Sequence, residues 1–275
     1  MLMQEDVAHK NNKTLIINKS DLGIIYPKIG QGDESVVYNY KNRYALKIFQ
    51  LFYETENWEK LNAKCEKVAS MTNLKDKDFC FPLGMIKEFD SNIKGCFMDY
   101  IDCKDNGRDF HYLYKLNNMK DIINYLYKMD DAIRRIHRKD VRLGDIKEDN
   151  ILITKDNEIK FIDTDNYAYE DYDFDVAAWR VRFIREKYGN YLSYQDTDIL
   201  LTSMMALKYI LKDPYCCCES SPEYFHQKIN ELNITKEGKN ALLWIFSDSC
   251  ERPYISEILP EIKLEDKPKV QVKLL

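Results

Sequence analysis

Four polar residues near the middle of the chain have the types and the spacing that phosphoryl transfer requires. Asp145 is followed by Lys147 two residues later and by Asn150 five residues later, just before an apolar run. Asp163 comes at the end of the next apolar run. Asparagine and aspartate oxygens are ligands that Mg²⁺ accepts, and a nearby carboxylate can take the proton of an attacking hydroxyl. The joint pattern therefore indicates magnesium-assisted phosphoryl transfer.

A glycine-containing turn lies between two predicted strands early in the chain. Gly30 and Gly32 are followed by Ser35, where a third glycine would complete the pattern, and then by Val36 and Val37. Because a strand rather than a helix follows, the segment is not a dinucleotide-binding fingerprint. Such a turn can fold its backbone N–H groups over phosphates, although an ordinary hairpin turn has the same sequence.

Lys47 lies inside an apolar run that is predicted to be a strand. If it is buried there, it needs a carboxylate or a phosphate beside it, because an unpaired ammonium is costly to bury. It follows Gly30 by seventeen residues, a distance that brings it back under the glycine-containing turn. The alternative is a lysine at the edge of a sheet that points into solvent.

Composition limits the class of protein. The chain has 275 residues, of which 45% are hydrophobic, so it can bury a core and is not generally disordered. A formal net charge of -5 argues against a protein that coats nucleic acid, and we expect no nucleic-acid partner. No apolar stretch approaches the ~20 residues that span a bilayer, and the acidic N-terminus is unlike a signal peptide. We expect a cytoplasmic protein without a membrane segment, or an effector delivered by another route.

The elements that must position these residues fall into two parts. Apolar residues at three- and four-residue spacing predict helices from Trp58 to Met71 and from Met119 to about His137. The chain is then predicted to be mostly helical after Asp198, so strands dominate the first part and helices the second. Strands are predicted at Ile24–Tyr26, Val36–Tyr38, Tyr44–Phe49, Phe81–Ile86 and Gly95–Ile101, with a small hairpin over residues 152–162.

This order predicts an α+β fold with two lobes. We expect a lead-in over residues 1–23, an N-lobe over 24–98, a hinge over 99–104, a C-lobe over 105–262 and a tail over 263–275.

The chain resembles the protein kinase-like superfamily over residues ~24 to ~260. Besides the Asp145 segment, Ile136-His137 resembles the end of the long C-lobe helix, and Asp198 resembles the buried aspartate that anchors the catalytic loop. Arg252-Pro253 resembles the late segment that closes the C-lobe, where Glu186 could pair with Arg252. The resemblance implies a bilobal protein kinase-like fold, ATP and Mg²⁺ as cofactors, and a protein substrate.

The resemblance also implies a role for each matching residue in the nucleotide site. Lys47 would hold the α- and β-phosphates of ATP, and its partner on the following helix would be Glu66, in preference to Glu59. Met98 would be the gatekeeper beside adenine. The other residues expected around ATP are Gly30, Gly32, Ser35, Val37, Ala45, Asp99 and Ile101.

Four further roles concern the transfer step. By the same resemblance, Asp145 would be the catalytic base, and Lys147 would neutralise the γ-phosphate during transfer. Asn150 and Asp163 would be the two magnesium ligands.

Two triplets depart from the protein kinase pattern. His-Arg-Asp is Leu143-Gly144-Asp145 here, and the missing arginine argues against control by a phosphate on the activation loop. Asp-Phe-Gly is Asp163-Thr164-Asp165, whose third acid resembles small-molecule kinases of the choline and aminoglycoside type. Lys147 and the Arg252 segment instead favour protein kinases.

We therefore predict an atypical protein kinase, resembling those of prokaryotes or viruses, that uses ATP and Mg²⁺ to phosphorylate Ser or Thr of protein substrates and can autophosphorylate. The alternatives are a small-molecule phosphotransferase on the same fold and a nucleotide-binding pseudokinase. The acceptor separates the two enzymes, and turnover separates both from the pseudokinase.

Overall fold

The computed structural model describes most of the chain. The predicted tail, the first thirteen residues of the predicted lead-in, and residues 103 and 104 of the predicted hinge lie outside the described part. The described residues are 14–32, 34–50, 58–88, 94–102, 108–173, 179–189, 192–217, 220–232, 234–247 and 252–261.

The chain divides into two compact units, and each is made of two segments. Unit 1 contains residues Met1–His111 and Lys147–Asp175, and unit 2 contains Tyr112–Ile146 and Val176–Leu275. These units are not the predicted lobes, whose boundaries stay a prediction.

Among its described residues, unit 1 contains a six-stranded sheet and the α-helix α1 (Trp58–Met71). The strand order is β1-β5-β6-β4-β3-β2, and every neighbouring pair is antiparallel except β1 and β5. The strands are β1 (Thr14–Ile17), β2 (Lys28–Gln31), β3 (Ser35–Tyr40), β4 (Tyr44–Phe49), β5 (Gly84–Glu88) and β6 (Lys94–Asp99).

Alternation along β4 sorts its side chains onto the two faces of this sheet. Leu46 and Ile48 pack with Phe97 in the core of one face. Ala45 and Phe49 pack with Leu61 and other α1 residues in the core of the other face. Lys47, between Ala45 and Phe49 in this alternation, therefore shares the face that α1 covers.

The predicted strand at Ile24–Tyr26 is wrong. Residues 22–26 form a turn that is closed by an isolated bridge between Leu22 and Tyr26, and β2 begins only at Lys28. Gly23 has a φ of 80°, a backbone conformation that an extended strand does not contain. Ile24 is 84% exposed, so its apolar side chain signals no core position.

A second sheet in unit 1 holds the predicted hairpin. Its strands are β7 (Arg108–Asp109), β8 (Ile151–Ile153) and β9 (Ile159–Phe161), in that order and antiparallel. The Phe161 ring stacks on Phe79 with ring centroids 4.5 Å apart, and its backbone bonds to Asp78 and Cys80. Asn150 therefore lies just before β8 and Asp163 just after β9.

Unit 2 is helical. Along α2 the buried residues Ile122, Leu126, Met129, Ile133 and Ile136 recur with helical spacing, as the sequence predicts. The Ser193 hydroxyl and the Asp196 carboxylate form a capping box at the start of α4. The helices are α2 (Met119–His137), α3 (Trp179–Tyr188), α4 (Tyr194–Leu211), α5 (Pro222–Glu231), α6 (Lys236–Ile245) and α7 (Ile255–Ile258).

The prediction of an α+β class, with strands first and helices second, is confirmed. Among the described residues, no helix is long and apolar enough to cross a membrane.

Candidate active site

Lys47 is buried in unit 1 and is paired with two carboxylates. Its ammonium donates hydrogen bonds to Oδ1 of Asp163 and, at 2.6 Å, to Oδ1 of Asp165. Burial alone lowers the pKa of a lysine, but the charges of Asp165 and Asp163 outweigh it and raise the pKa of Lys47 well above its ordinary value. Lys47 is therefore a permanently charged, oriented cation and not an edge lysine.

The predicted pairing of Lys47 with Glu66 is wrong in this structure. Glu66 is exposed on α1, and so is its alternative, Glu59. The helix turns Leu61, Lys64 and Val68 inward, because these positions are three and four residues apart. Glu66 is two residues from both Lys64 and Val68 and so faces away from them.

Asp165 is the most enclosed acid of this site. Its side chain has no exposed surface, and its Oδ2 atom lies 3.6 Å from the Lys64 ammonium. Burial alone raises the pKa of a carboxyl group, but the charges of Lys47 and Lys64 lower the pKa of Asp165, so it stays ionised. The sequence marks Asp165 only as a departure from a triplet, and it gives no sign of this pairing.

Lys64 connects Asp165 to the glycine-containing turn. Its ammonium donates to Oε2 of Glu34 at 2.9 Å and to Oδ1 of Asn166 at 3.0 Å. We call Lys47, Lys64, Glu34, Asp163 and Asp165 the lysine–carboxylate cluster. Sequence reasoning missed Lys64 and Glu34, although a lysine in the apolar stripe of α1 was the available signal.

The predicted magnesium ligands lie beside each other in unit 1. The backbone oxygen of Asn150 accepts a hydrogen bond from Ile162 N at 2.9 Å, which places Asn150 next to the residue before Asp163. Asp163 has a left-handed backbone (φ 62°, ψ 32°), which turns the chain after β9, and its side chain is 30% exposed. Its Oδ2 accepts from Asn166 at 3.0 Å.

These donors suit a hard cation. Asp163 supplies carboxylate oxygens and Asn150 an amide oxygen, and Mg²⁺ commonly takes one or two protein ligands, completing its shell with water and substrate phosphates. Within the described residues, no cluster of three or more His, Cys, Asp or Glu that could hold a metal occurs. Lys147 begins the second segment of unit 1, three residues before Asn150, and is half-buried.

Three of the residues expected around ATP, Val37, Ala45 and Met98, form one apolar group. Ala45 on β4 pairs with Met98 on β6, and Val37 packs against the same core cluster. Asp99 ends β6 and is exposed, and Ile101 follows it half-buried. The structure thus brings Val37, Ala45 and Met98 together.

The glycine-containing turn is closed by one backbone bond, from Gly32 N to Ser35 O at 2.9 Å. Gly30 pairs with Val37 across β2 and β3. A Cβ added at Gly32 would meet no described atom within 4 Å, so the turn is open at this residue. Ser35 is buried at the start of β3.

Asp145 lies in unit 2, and the two residues before it are anchored by Asp198. Asp198 at the start of α4 accepts hydrogen bonds from Leu143 N at 2.7 Å and Gly144 N at 2.8 Å, which confirms its predicted anchoring role. Gly144 has a φ of 69°, a left-handed conformation that glycine adopts without strain. His137 contacts the same Asp198 carboxylate at 3.0 Å.

Arg180 on α3 contacts Asp145 directly, and its guanidinium donates to Asp145 Oδ1. The sequence alone does not reveal this ion pair, because the two residues are 35 positions apart.

The predicted pairing of Glu186 with Arg252 is wrong. Arg252 is buried and donates to the backbone oxygens of Ile245 at 2.9 Å and Ser247 at 2.7 Å. Glu186 is exposed on α3, with Arg182 at 3.9 Å. Arg252 therefore secures the end of α6.

A buried lysine held by the acid that follows a β-hairpin, with an asparagine just before the same hairpin, defines a kinase-type phosphotransferase. The sequence matches the protein kinase domain family over residues 24–166, just over half of the chain, and the chain belongs to that family. The predicted protein kinase-like superfamily and fold are thereby confirmed. No curated protein matches this chain.

Proposed function

We propose that this chain is an ATP- and Mg²⁺-dependent protein kinase that phosphorylates Ser or Thr residues of proteins, its own included. The observation that carries the proposal is the partly buried contact between Lys47 and Asp163, which are 116 positions apart. A charged lysine and a partly exposed carboxylate are held together next to Asn150. This is the set of groups that positions a nucleoside triphosphate with its metal.

Each residue has a part in the proposed reaction. Lys47 binds the α- and β-phosphates of ATP, and Val37, Ala45 and Met98 offer an apolar surface to adenine. Asn150 and Asp163 hold the metal, and bound Mg²⁺ would neutralise charge on the phosphate oxygens.

At the acceptor, Asp145 orients the hydroxyl and takes its proton. Lys147 balances the charge that develops on the γ-phosphate. Because a loose phosphoryl transfer needs little covalent help, these residues act by positioning and by charge.

The test is intact-mass spectrometry of the purified chain after incubation with Mg²⁺ and ATP, beside the Asp145→Asn variant. We expect mass gains of phosphate in the wild type alone, and peptide mapping should place them on Ser or Thr. The same reaction is run with a mixture of Ser, Thr and Tyr peptides. Phosphotyrosine alone would contradict the Ser/Thr assignment.

A small-molecule phosphotransferase is the second candidate, because the third residue of the Asp163-Thr164-Asp165 triplet is an acid, a feature that resembles small-molecule kinases. Transfer to amino alcohols or aminoglycosides, with none to peptides or to the chain itself, would establish it. MgATP binding without transfer to any acceptor would instead identify a pseudokinase.

A further inference from the structure

The two aspartates of the Asp163-Thr164-Asp165 triplet have different surroundings, although both bond to Lys47. Asp163 is 30% exposed, so its carboxylate can reach a ligand. Asp165 has no exposed side-chain surface, so its carboxylate acts on the groups packed around it and not on a ligand in solvent. The neighbours with opposite charge are Lys47 at 2.6 Å and Lys64 at 3.6 Å.

The charges on α1 are reversed relative to what the sequence resemblance implies. The resemblance implies a glutamate on α1 that pairs with Lys47. Instead, α1 places the Lys64 ammonium beside Glu34 and Asp165, and the carboxylate that holds Lys47 comes from the loop after β9. A buried carboxylate with two ammonium neighbours stays ionised, and an ammonium next to it stays oriented. Asp165 therefore has the environment needed to fix Lys47 while Asp163 is engaged elsewhere.

Lys64 has a second task that a glutamate could not perform. It donates to Glu34, which lies in the turn between β2 and β3, and to Asn166 in the loop after β9. Its side chain is almost fully buried, and its ammonium also lies 5.1 Å from the centre of the Phe49 ring. One ammonium thus joins the glycine-containing turn, α1 and the segment that carries Asp163.

We propose that Lys64 and Asp165 are positioning residues that together replace the helix glutamate: Asp165 orients Lys47 toward the nucleotide phosphates, and Lys64 neutralises Asp165 and ties the glycine-containing turn to it. This inference rests on the proposed nucleotide site. Neither residue needs to touch the nucleotide. The consequence is that nucleotide affinity depends on a charge pair between positions 64 and 165.

The test compares the affinities of MgATP and adenosine, measured by calorimetry on the full-length chain. Lys64→Met removes one of the two ammonium groups beside the buried Asp165, and Asp165→Asn removes the carboxylate that lies beside both Lys47 and Lys64, so we expect each to weaken MgATP binding by roughly tenfold or more. Adenosine binding should change little, because adenosine has no phosphates for Lys47 to hold. A variant that merely damaged the fold would lose both ligands. Lys75→Met, at an exposed lysine just after α1, is the matched control.

A double variant gives the sharper result. Lys64→Glu combined with Asp165→Asn returns a carboxylate to the helix and removes the one at position 165. We expect Lys64→Glu alone to be at least as damaging as Lys64→Met, and we expect the double variant to bind MgATP more tightly than either of its single variants. Additive losses in the double variant, or normal MgATP affinity in both Lys64→Met and Asp165→Asn, would overturn the inference and leave the proposed function intact. A wild-type chain that binds no MgATP would overturn both.

Discussion

Asp163 is the residue whose side chain combines a contact to Lys47 with exposure to solvent. In Asp163→Asn, the left-handed backbone should persist, because asparagine tolerates that conformation, and Asp165 still holds Lys47. The carboxylate charge, however, is lost from the proposed metal site. We expect phosphoryl transfer to fall by on the order of 100-fold or more with little change in the melting temperature.

This prediction is checked by initial rates over a range of Mg²⁺ concentrations and by thermal unfolding. Asp156→Asn, an exposed acid in the turn between β8 and β9, is the matched control. Near-normal transfer in Asp163→Asn would remove Asp163 from the metal site.

The sequence predicts the members of the site better than it predicts their partners. A buried Lys47 must have a carboxylate beside it, and that requirement can be stated from the apolar run alone. Which carboxylate it is depends on the rotation of α1, where Glu66 and Lys64 differ by half a turn. It also depends on a contact to Asp165, which is 118 positions away. Neither the rotation of α1 nor this long-range contact can be predicted from the spacing of nearby residues.

At the scale of elements, Gly95 sets the close approach of β6 to β4. A Cβ at this position would lie 2.3 Å from the backbone oxygen of Lys47 and 3.2 Å from Ile48 Cα, so the strands would have to move apart. We expect Gly95→Ala to lower the free energy of unfolding by about 1–3 kcal/mol and to weaken MgATP binding by displacing Lys47.

Urea unfolding and calorimetry check this prediction, with Gly32→Ala as the control for unfolding alone, because Gly32 belongs to the proposed nucleotide site. A Cβ at Gly32 meets no described atom within 4 Å, and its φ is not in the left-handed region, so its unfolding should be close to that of the wild type. Equal unfolding free energies for the two variants would show that β4 and β6 tolerate the added carbon.

Asp130 on α2 caps the start of α7 and titrates in an accessible range. Its Oδ2 accepts from Ser256 N at 2.8 Å, and burial raises its pKa to about 6 in spite of that bond. The folded state therefore binds the proton more tightly than the unfolded state, whose carboxyl has a pKa of about 4. The stability contributed by the protonated form is complete below pH ~4 and is lost as the pH rises through ~6.

Asp130→Asn should remove this dependence, because an amide oxygen can still accept from Ser256 N without a charge. The two pKa values correspond to about 3 kcal/mol between pH 4 and pH 7. We expect the free energy of unfolding of the variant, relative to that of the wild type, to be higher at pH 7.5 than at pH 4.5 by a sizeable part of this amount. Urea unfolding of both proteins at the two pH values measures this difference. A constant difference between the two proteins at both pH values would contradict the assignment.

Helices and strands were predictable where the spacing of apolar residues repeats over a long stretch of sequence. Nineteen residues of α2 repeat one apolar stripe, and the sequence places both of its ends correctly. Ile24–Tyr26 offers only three apolar residues, and the left-handed Gly23 that precedes them converts the segment into a turn. A short apolar run does not distinguish a strand from an exposed turn, because three residues are too few for the spacing of apolar residues to repeat.

For the whole molecule, the order of strands and helices can be predicted from the sequence, but the set of chain segments that form unit 1 cannot. Residues 147–175 follow the long helix α2 in the chain, yet they belong to the unit that contains the six-stranded sheet. Phe161 stacks on Phe79, and both aspartates that pair with Lys47 come from the same segment. Such long-range contacts carry no signature in local periodicity.

This organisation predicts how unit 1 behaves when it is cut from the chain. Residues 1–111 alone lack β8, β9 and both aspartates of the cluster, so Lys47 and Lys64 would be buried without those charges, and we expect this fragment to be unfolded.

The missing segment of unit 1 can be rejoined directly, because β7 pairs with β8 and His111 lies 3.3 Å from Asp149. A linker of roughly eight glycine and serine residues in place of 112–146 is long enough to join the ends. We expect this linked unit to show dispersed amide NMR signals and cooperative thermal unfolding, and we expect Asp165→Asn within it to lower its melting temperature. Cooperative folding of residues 1–111 without the second segment would show that the cluster is not required for this unit to form.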